Sequence, residues 1–228
     1  MKWNKRGLII FLVFFILINI FSIQMTKGII KTANKPYKGI VIALDAGHGG
    51  FDSGARFSGI EESGINLSIA KKLKSQLEQL GMKVILTRED DNDLADADAK
   101  VRKRQDMKRR IEIINKKEVD LFISIHLNSF ADKSVKGAQI FYNKKNKDSL
   151  QFAKFIQKEV SEVSDSDMLI KNGDYYILNQ SKKIGVLLEC GFLSNPIERK
   201  KLNSGSYQDK LARSIKKGIM EFLRSVYE

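Results

Sequence analysis

Short continuous apolar runs alternate along this chain with longer stretches in which apolar residues recur at helical spacing. Ile40 to Leu44 is the first such run and reads as a buried strand. From Glu62 to Leu80 the residues Ile65, Ile69, Leu73, Leu77 and Leu80 mark one face of an amphipathic helix, with Gly81 as its stop. Met82 to Thr87 reads as a second strand. An acidic loop, Asp90 to Asp98, then leads into a very basic helix from Lys100 to Lys117. Strands are expected at Leu121 to Ile125 and Gly137 to Tyr142, a helix at Lys147 to Val163, and a short strand at Tyr175 to Leu178. Ile184 to Glu189 is nearly all apolar, the mark of a strand covered on both faces, and Tyr207 to Val226 is the closing helix. Strands alternating with helices predict a layered α/β/α domain around a twisted, largely parallel sheet over residues 39–228. No internal repeat is visible, and no second domain is left over.

The N-terminus breaks this pattern. Gly7 to Ile23 is apolar except for Asn19 and Ser22, which places it at the lower limit for a helix that spans a bilayer. Lys2, Lys5 and Arg6 precede it, and no small-x-small cleavage site follows. The reading is a basic tail at 1–6, a transmembrane signal anchor (or signal peptide) at 7–25 and a polar linker at 26–38. The linker residues Lys27, Lys31, Lys35 and Lys38 keep the loop-charge count from favouring the outside for the domain. Apolar N-terminal segments normally act as export signals, so the domain is expected to be extracytoplasmic.

Composition narrows the partners. The 228 residues carry a net charge of +13. For an exported protein, such charge suits anionic wall polymers or lipid headgroups, and a solvated lysine-rich surface accounts for much of it. No basic stripe interleaved with aromatics is present, so nucleic acid is not an expected partner. Cys190 is the one cysteine, which excludes an internal disulfide and leaves stability to the core.

The chemistry rests on two histidines, the only ones in the chain. His48 closes the run that begins at Ile40, and His126 closes Asp120-Leu-Phe-Ile-Ser-Ile. Both sit where open α/β sheets hold their sites, and neutral imidazole is a common zinc ligand. They read either as half-buried strand caps or as metal ligands. At about 3.6 residues per turn, Glu62 falls near the centre of the arc formed by Ile69, Leu73 and Leu80, while Glu61 turns toward solvent. A carboxylate on the buried side wants a partner, or it simply caps the helix dipole. Glu189 ends a fully apolar strand, where an unpaired carboxylate is costly unless a charge or metal lies beside it.

Five blocks then carry a resemblance: VIALDAGHGGFDSGA (41–55), EESGINLSIA (61–70), LTRED (86–90), DLFISIHLNSF (120–130) and VLLECGFLSNPIE (186–198). In order and spacing they resemble the zinc-dependent N-acetylmuramoyl-L-alanine amidases of type 3, across residues 39–226. The resemblance implies one Zn2+ held by His48, Glu62 and His126, with Glu189 as the catalytic residue. Asp45, Arg88, Asn128 and Ser129 become candidates for substrate contact or for support of the ligands. Asp45 reads equally as a strand-end turn residue, and Arg88 as an ion-pair partner of Glu89, Asp90 or Asp91. Ala46, Ser63 and Cys190 depart from the commonest family residues without touching a ligand position. A lone catalytic domain behind an apolar segment is most similar to the germination-specific amidases of spore formers. The implied reaction is hydrolysis of the amide between N-acetylmuramic acid and L-alanine in peptidoglycan, in spore cortex maturation leading to muramic δ-lactam. The implied setting is the cell wall or spore intermembrane space, with an accessory protein as a further partner. The alternatives are a vegetative amidase for cell separation or autolysis, a Cys-His wall peptidase using Cys190, and a non-catalytic wall-binding protein.

Overall fold

The computed structural model describes residues 12–22 and 36–227. Residues 12–22 form helix α1, whose large apolar side chains are exposed. The expected membrane segment begins and ends outside the described residues, as does most of the expected linker. No described helix is long and apolar enough to cross a membrane.

The apolar runs become the strands of one six-stranded sheet. Strand β1 (Val41–Ala46) is followed by the small hairpin β2 (Arg56–Phe57) and β3 (Ile60–Glu61), then by β4 (Lys83–Leu86) and β5 (Leu121–Asn128). Strands β6 (Gln139–Tyr142), β7 (Lys171–Asn172) and β8 (Ile184–Phe192) complete the set. The order across the sheet is β4-β1-β5-β8-β6-β7. The neighbours β4, β1, β5 and β8 run parallel, and β6 lies antiparallel to β8. This is the largely parallel layered architecture the alternation predicts. The hairpin β2–β3 carries no such signal in the sequence.

Helices α2 (Glu62–Glu78), α4 (Lys147–Ser164) and α7 (Gly205–Tyr227) cover one face. Their apolar stripes meet Ile42, Leu44, Ile123, Ile125, Val186 and Leu188 in the main core. Helix α2 stops where Gly81 takes a φ of 93°, a conformation glycine adopts without strain. Helices α3 (Arg102–Ile114) and α5 (Tyr176–Gln180) cover the other face, over Val41, Ala43, Phe122 and Leu187. Successive strand residues point to opposite faces, so each parallel strand feeds both cores. A last short helix, α6 (Pro196–Leu202), starts at Asn195, whose side chain accepts from the Ile197 and Glu198 amides, with Pro196 at the first turn.

One element differs from expectation. Tyr175 to Leu178 is not a strand but the start of α5. The adjacent residues Ile177 and Leu178 are both buried against the α3-side core. Two neighbouring buried side chains suit a helical turn lying on the sheet, and so short an apolar run has no period to separate the two states.

Candidate active site

The strands set the site by register. Asp45 on β1 lies beside Ser124 on β5, and His126 on β5 beside Glu189 on β8. With a period of two, Asp45, Ser124, His126 and Glu189 all fall on the face toward α3, at the C-terminal end of the parallel strands. The first turn of α2 brings Glu62 to the same edge from the other layer, where its Oε1 accepts from the Leu127 amide at 3.0 Å.

His48 lies just past β1 with a φ of 62°, a left-handed conformation that side-chain-bearing residues seldom adopt. Two buried arginines hold it there. Arg88 Nε donates to Ala46 O at 2.9 Å and its Nη2 to Gly47 O at 3.1 Å. Arg110 Nη1 donates to Ala46 O at 2.7 Å and its Nη2 to His48 O at 2.6 Å. Three successive carbonyls of the loop thus each receive a guanidinium. Arg110 is itself fixed by Asp45 at 2.8 Å and Asp106 at 2.9 Å. Burial alone would raise the Asp45 carboxyl, but Arg110, Ser124 and Thr87 hold it below the usual carboxylate range. A Cβ at Gly47 would collide with the His126 ring, so only glycine lets the two histidine segments touch.

At the centre, Glu62 Oε1 lies 3.2 Å from His48 Nε2 and 3.1 Å from His126 Nδ1. Glu62 Oε1 also accepts from Asn66 Nδ2 at 3.1 Å, and its Oε2 from the Ala55 amide at 2.9 Å. Burial pushes the Glu62 carboxyl up, yet the hydrogen bonds from His126 and His48 hold it well below the ordinary range. The other ring nitrogen of His48 faces Asp52 Oδ1 at 3.0 Å. Asp52 is held down at about 2: burial opposes this, and His48 and Lys103 outweigh it. The donor atoms of His48, Glu62 and His126 all lie within 4.8 Å of one another. Two imidazoles and a carboxylate form a donor set suited to a hydrolytic zinc ion that keeps a place open for water. The carboxylate behind His48 is the support such ligands usually have. Both the chemistry and the spacing fit.

Glu189 completes the arrangement. It is buried, and its Oε2 has no hydrogen-bond partner among the described residues. Burial first, and Glu62 second, push its carboxyl up to about 7 against the pull of His126 and His48. A cleft of about 280 Å³ joins His48, Glu62, His126 and Glu189.

The remaining expected residues divide. Asp45 forms part of the cleft floor through its bonds to Arg110, Ser124 and Thr87. Arg88 sits behind the His48 loop, donating also to Ser63 O and Asp90 O, with Asp91 at 3.5 Å. Asn128 and Ser129 lie past the cleft at the end of β5, where Asn128 Oδ1 accepts from the Ser129 amide. Cys190 points into the main core with its thiol pushed well up by burial, so it is no nucleophile for His126. Asp52 and Arg110 are the contributors that the sequence pattern did not single out. Arg110 shares a helical face with Asp106 and Ile114, all buried, and the same angular count that singles out Glu62 finds it. Asp52 sits on an irregular loop, where no period marks it.

Residues 42–221 match the N-acetylmuramoyl-L-alanine amidase family. The chain is 38% identical to a germination-specific N-acetylmuramoyl-L-alanine amidase of Bacillus subtilis, over 97% of this chain and 96% of that protein. Among solved structures it resembles the CwlD amidase of Clostridioides difficile in complex with the GerS lipoprotein, with a TM-score of 0.79 and 41% identity, covering 82% of this chain and 99% of that one. The catalytic domain of the amidase CwlV from Bacillus (Paenibacillus) polymyxa gives a TM-score of 0.72 at 32% identity, covering 81% and 98%. With its strand-end histidines, helix-start glutamate and buried strand-end glutamate inside the matched span, this chain belongs to the N-acetylmuramoyl-L-alanine amidase family.

Proposed function

We propose that this protein hydrolyses the amide between the lactyl group of N-acetylmuramic acid and L-alanine in spore-cortex peptidoglycan. In this reading one zinc ion is held by His48, Glu62 and His126, and Glu189 is the proton carrier. The observation that carries it is Oε2 of Glu189, which has no hydrogen-bond partner among the described residues and lies one strand across from His126 in the same cleft. A carboxylate buried without a partner is costly, and proton transfer at the cleft gives it a use.

A zinc ion held by His48, Glu62 and His126 would supply Lewis-acid chemistry, lowering a water's pKa from about 15.7 toward about 7 and polarising the scissile carbonyl. The protein's own groups do the rest. Asp52 accepts the Nδ1 proton of His48, which fixes the neutral tautomer and leaves Nε2, at the centre between His48, Glu62 and His126, as the nitrogen a metal would use. The amides of Leu127 and Ala55 hold both oxygens of Glu62, so its carboxylate cannot swing away. Ionised Glu189 takes a proton from the attacking water and gives it to the L-alanine nitrogen as the carbon–nitrogen bond breaks.

The apolar segment at 7–25 acts in this reading as export signal or anchor, and the domain works outside the cytoplasmic membrane. The germination-specific relative favours the cortex over the vegetative wall. The lipoprotein bound to the Clostridioides difficile relative supports an accessory protein for this chain too.

The test is product analysis on purified cortex muropeptides. Wild type is expected to release peptides with a free L-alanine amine, and chelation to stop this until zinc is returned. Cys190→Ala is expected to keep activity within about twofold, since a buried cysteine behaves as a small apolar residue. Chelator-resistant activity that vanishes in Cys190→Ala would overturn the zinc reading. Asp52→Asn is expected to weaken zinc binding by roughly 10–100-fold, read by competition with a coloured chelator. An unchanged zinc affinity would remove Asp52 from the site.

A further inference from the structure

We propose that Lys103 selects the substrate by drawing a free carboxylate of the leaving peptide into the catalytic cleft. The inference rests on the amidase reading above and extends it to specificity. The cleft is lined by the carboxylates of Asp45, Asp52, Glu62, Asp106 and Glu189, and by only two cations among the described residues, Lys103 and Arg110. Arg110 is fully buried and engaged with Asp45, Asp106 and the His48 loop. Lys103, in the first turn of α3, is the cation that solvent and substrate can reach, with its side chain 72% exposed.

Lys103 Nζ lies 3.0 Å from Asp52 Oδ2, and this is its ion pair among the described residues. An ammonium group carries three N–H donors, so donors remain for a ligand. Asp52 Oδ1 is taken by His48, so only its Oδ2 faces Lys103.

The substrate's chemistry then sets the direction. The lactyl carboxyl is consumed in the scissile amide, and the N-acetylated sugars carry no charge of their own. Any carboxylate must therefore lie on the peptide side, in the leaving group. With Asp45 and Asp106 paired to Arg110 and Glu62 given to the metal, Asp52 and Glu189 are the carboxylates that peptide would meet, and Lys103 is the exposed cation set against them. Lys103 supplies the attraction while leaving the neutral glycan unaffected.

Two synthetic muropeptides test this, identical except that the residue after L-alanine bears either a free carboxylate or its carboxamide. Wild type is expected to favour the carboxylate substrate by about tenfold in kcat/KM, because a charge-assisted hydrogen bond at a partly exposed site has roughly that weight. The difference should fall on KM and shrink as salt rises from about 0.05 to about 0.3 M. Lys103→Met should erase the preference, and Lys103→Arg should keep it. Equal rates on both substrates by wild type, or a preference that survives in Lys103→Met, would overturn the inference while leaving the amidase reading intact. If wild type cuts neither substrate, the amidase reading fails and this inference falls with it.

Discussion

Glu189→Gln is expected to abolish amide hydrolysis and, in the metal-free protein, to raise stability at alkaline pH. Loss of a positioned proton carrier lowers kcat by about 10²–10⁴-fold. The stability gain follows from the same burial. Glu189 has its carboxyl pushed from 4.5 to about 7, so the folded state prefers the protonated form. The unfolded chain ionises near pH 4.5 and the folded chain near pH 7. The native penalty is therefore absent at low pH, grows as pH rises between those values, and is complete above about 7. A rise of that size corresponds to roughly 3 kcal/mol. The glutamine removes the charge but leaves a buried amide short of partners, which gives back about 1–2 kcal/mol. The net expectation with chelator present is a melting temperature higher by about 3–8 °C at pH 8, and one a few degrees lower at pH 4, where only the cost of the amide remains. Bound zinc should shrink the gap, since a nearby cation favours the ionised carboxylate. Equal melting temperatures at pH 8 without metal would show that Glu189 is not a strained carboxylate and would remove the basis for its role. The kcat/KM profile of wild type should likewise fall on the acid side at or below about pH 7, as Glu189 gains its proton.

Arg110→Met should produce the largest loss of stability of any single change near the site. Methionine fills much of the volume but leaves Asp45 and Asp106 without their buried partner and releases the carbonyl of His48, while Ala46 O keeps only Arg88. Removing one member of a buried ion network costs about 3–5 kcal/mol, because the charges left behind stay desolvated. Against a total stability of about 5–15 kcal/mol, the melting temperature should drop by about 6–20 °C. Zinc affinity should fall as well, since His48 keeps its left-handed conformation through those carbonyl contacts. The double variant Arg110→Met with Asp45→Asn should recover part of the loss, because it neutralises one orphaned charge. Strictly additive losses in the double variant would show that Asp45 and Arg110 do not act as a pair.

Much of the fold and of the site is legible in the amino-acid pattern. The apolar runs at Ile40, Leu121 and Ile184 each form a parallel central strand, because a sheet covered on both faces needs residues that are apolar on both. The 3.6 period puts Glu62 on the buried side of α2, where it is 3% exposed, and leaves Glu61 to pair with Arg56 at the surface. The helix at Tyr176, the β2–β3 hairpin and α6 are not legible, since each is too short to show a period.

Residue order along the chain already assigns the groups available for chemistry to particular strand ends and helix faces. Two histidines after apolar runs and two carboxylates in buried positions already demanded partners, because desolvated polar groups are too costly to leave alone. What they partner was a tertiary matter. Strand order made β5 and β8 neighbours and set His126 beside Glu189. The packing of α3 carried Arg110 under the His48 loop and Lys103 to the rim of the cleft. Such contacts join residues far apart in the chain, and no local period encodes them. They arise only when the layers close and the buried charges must find one another.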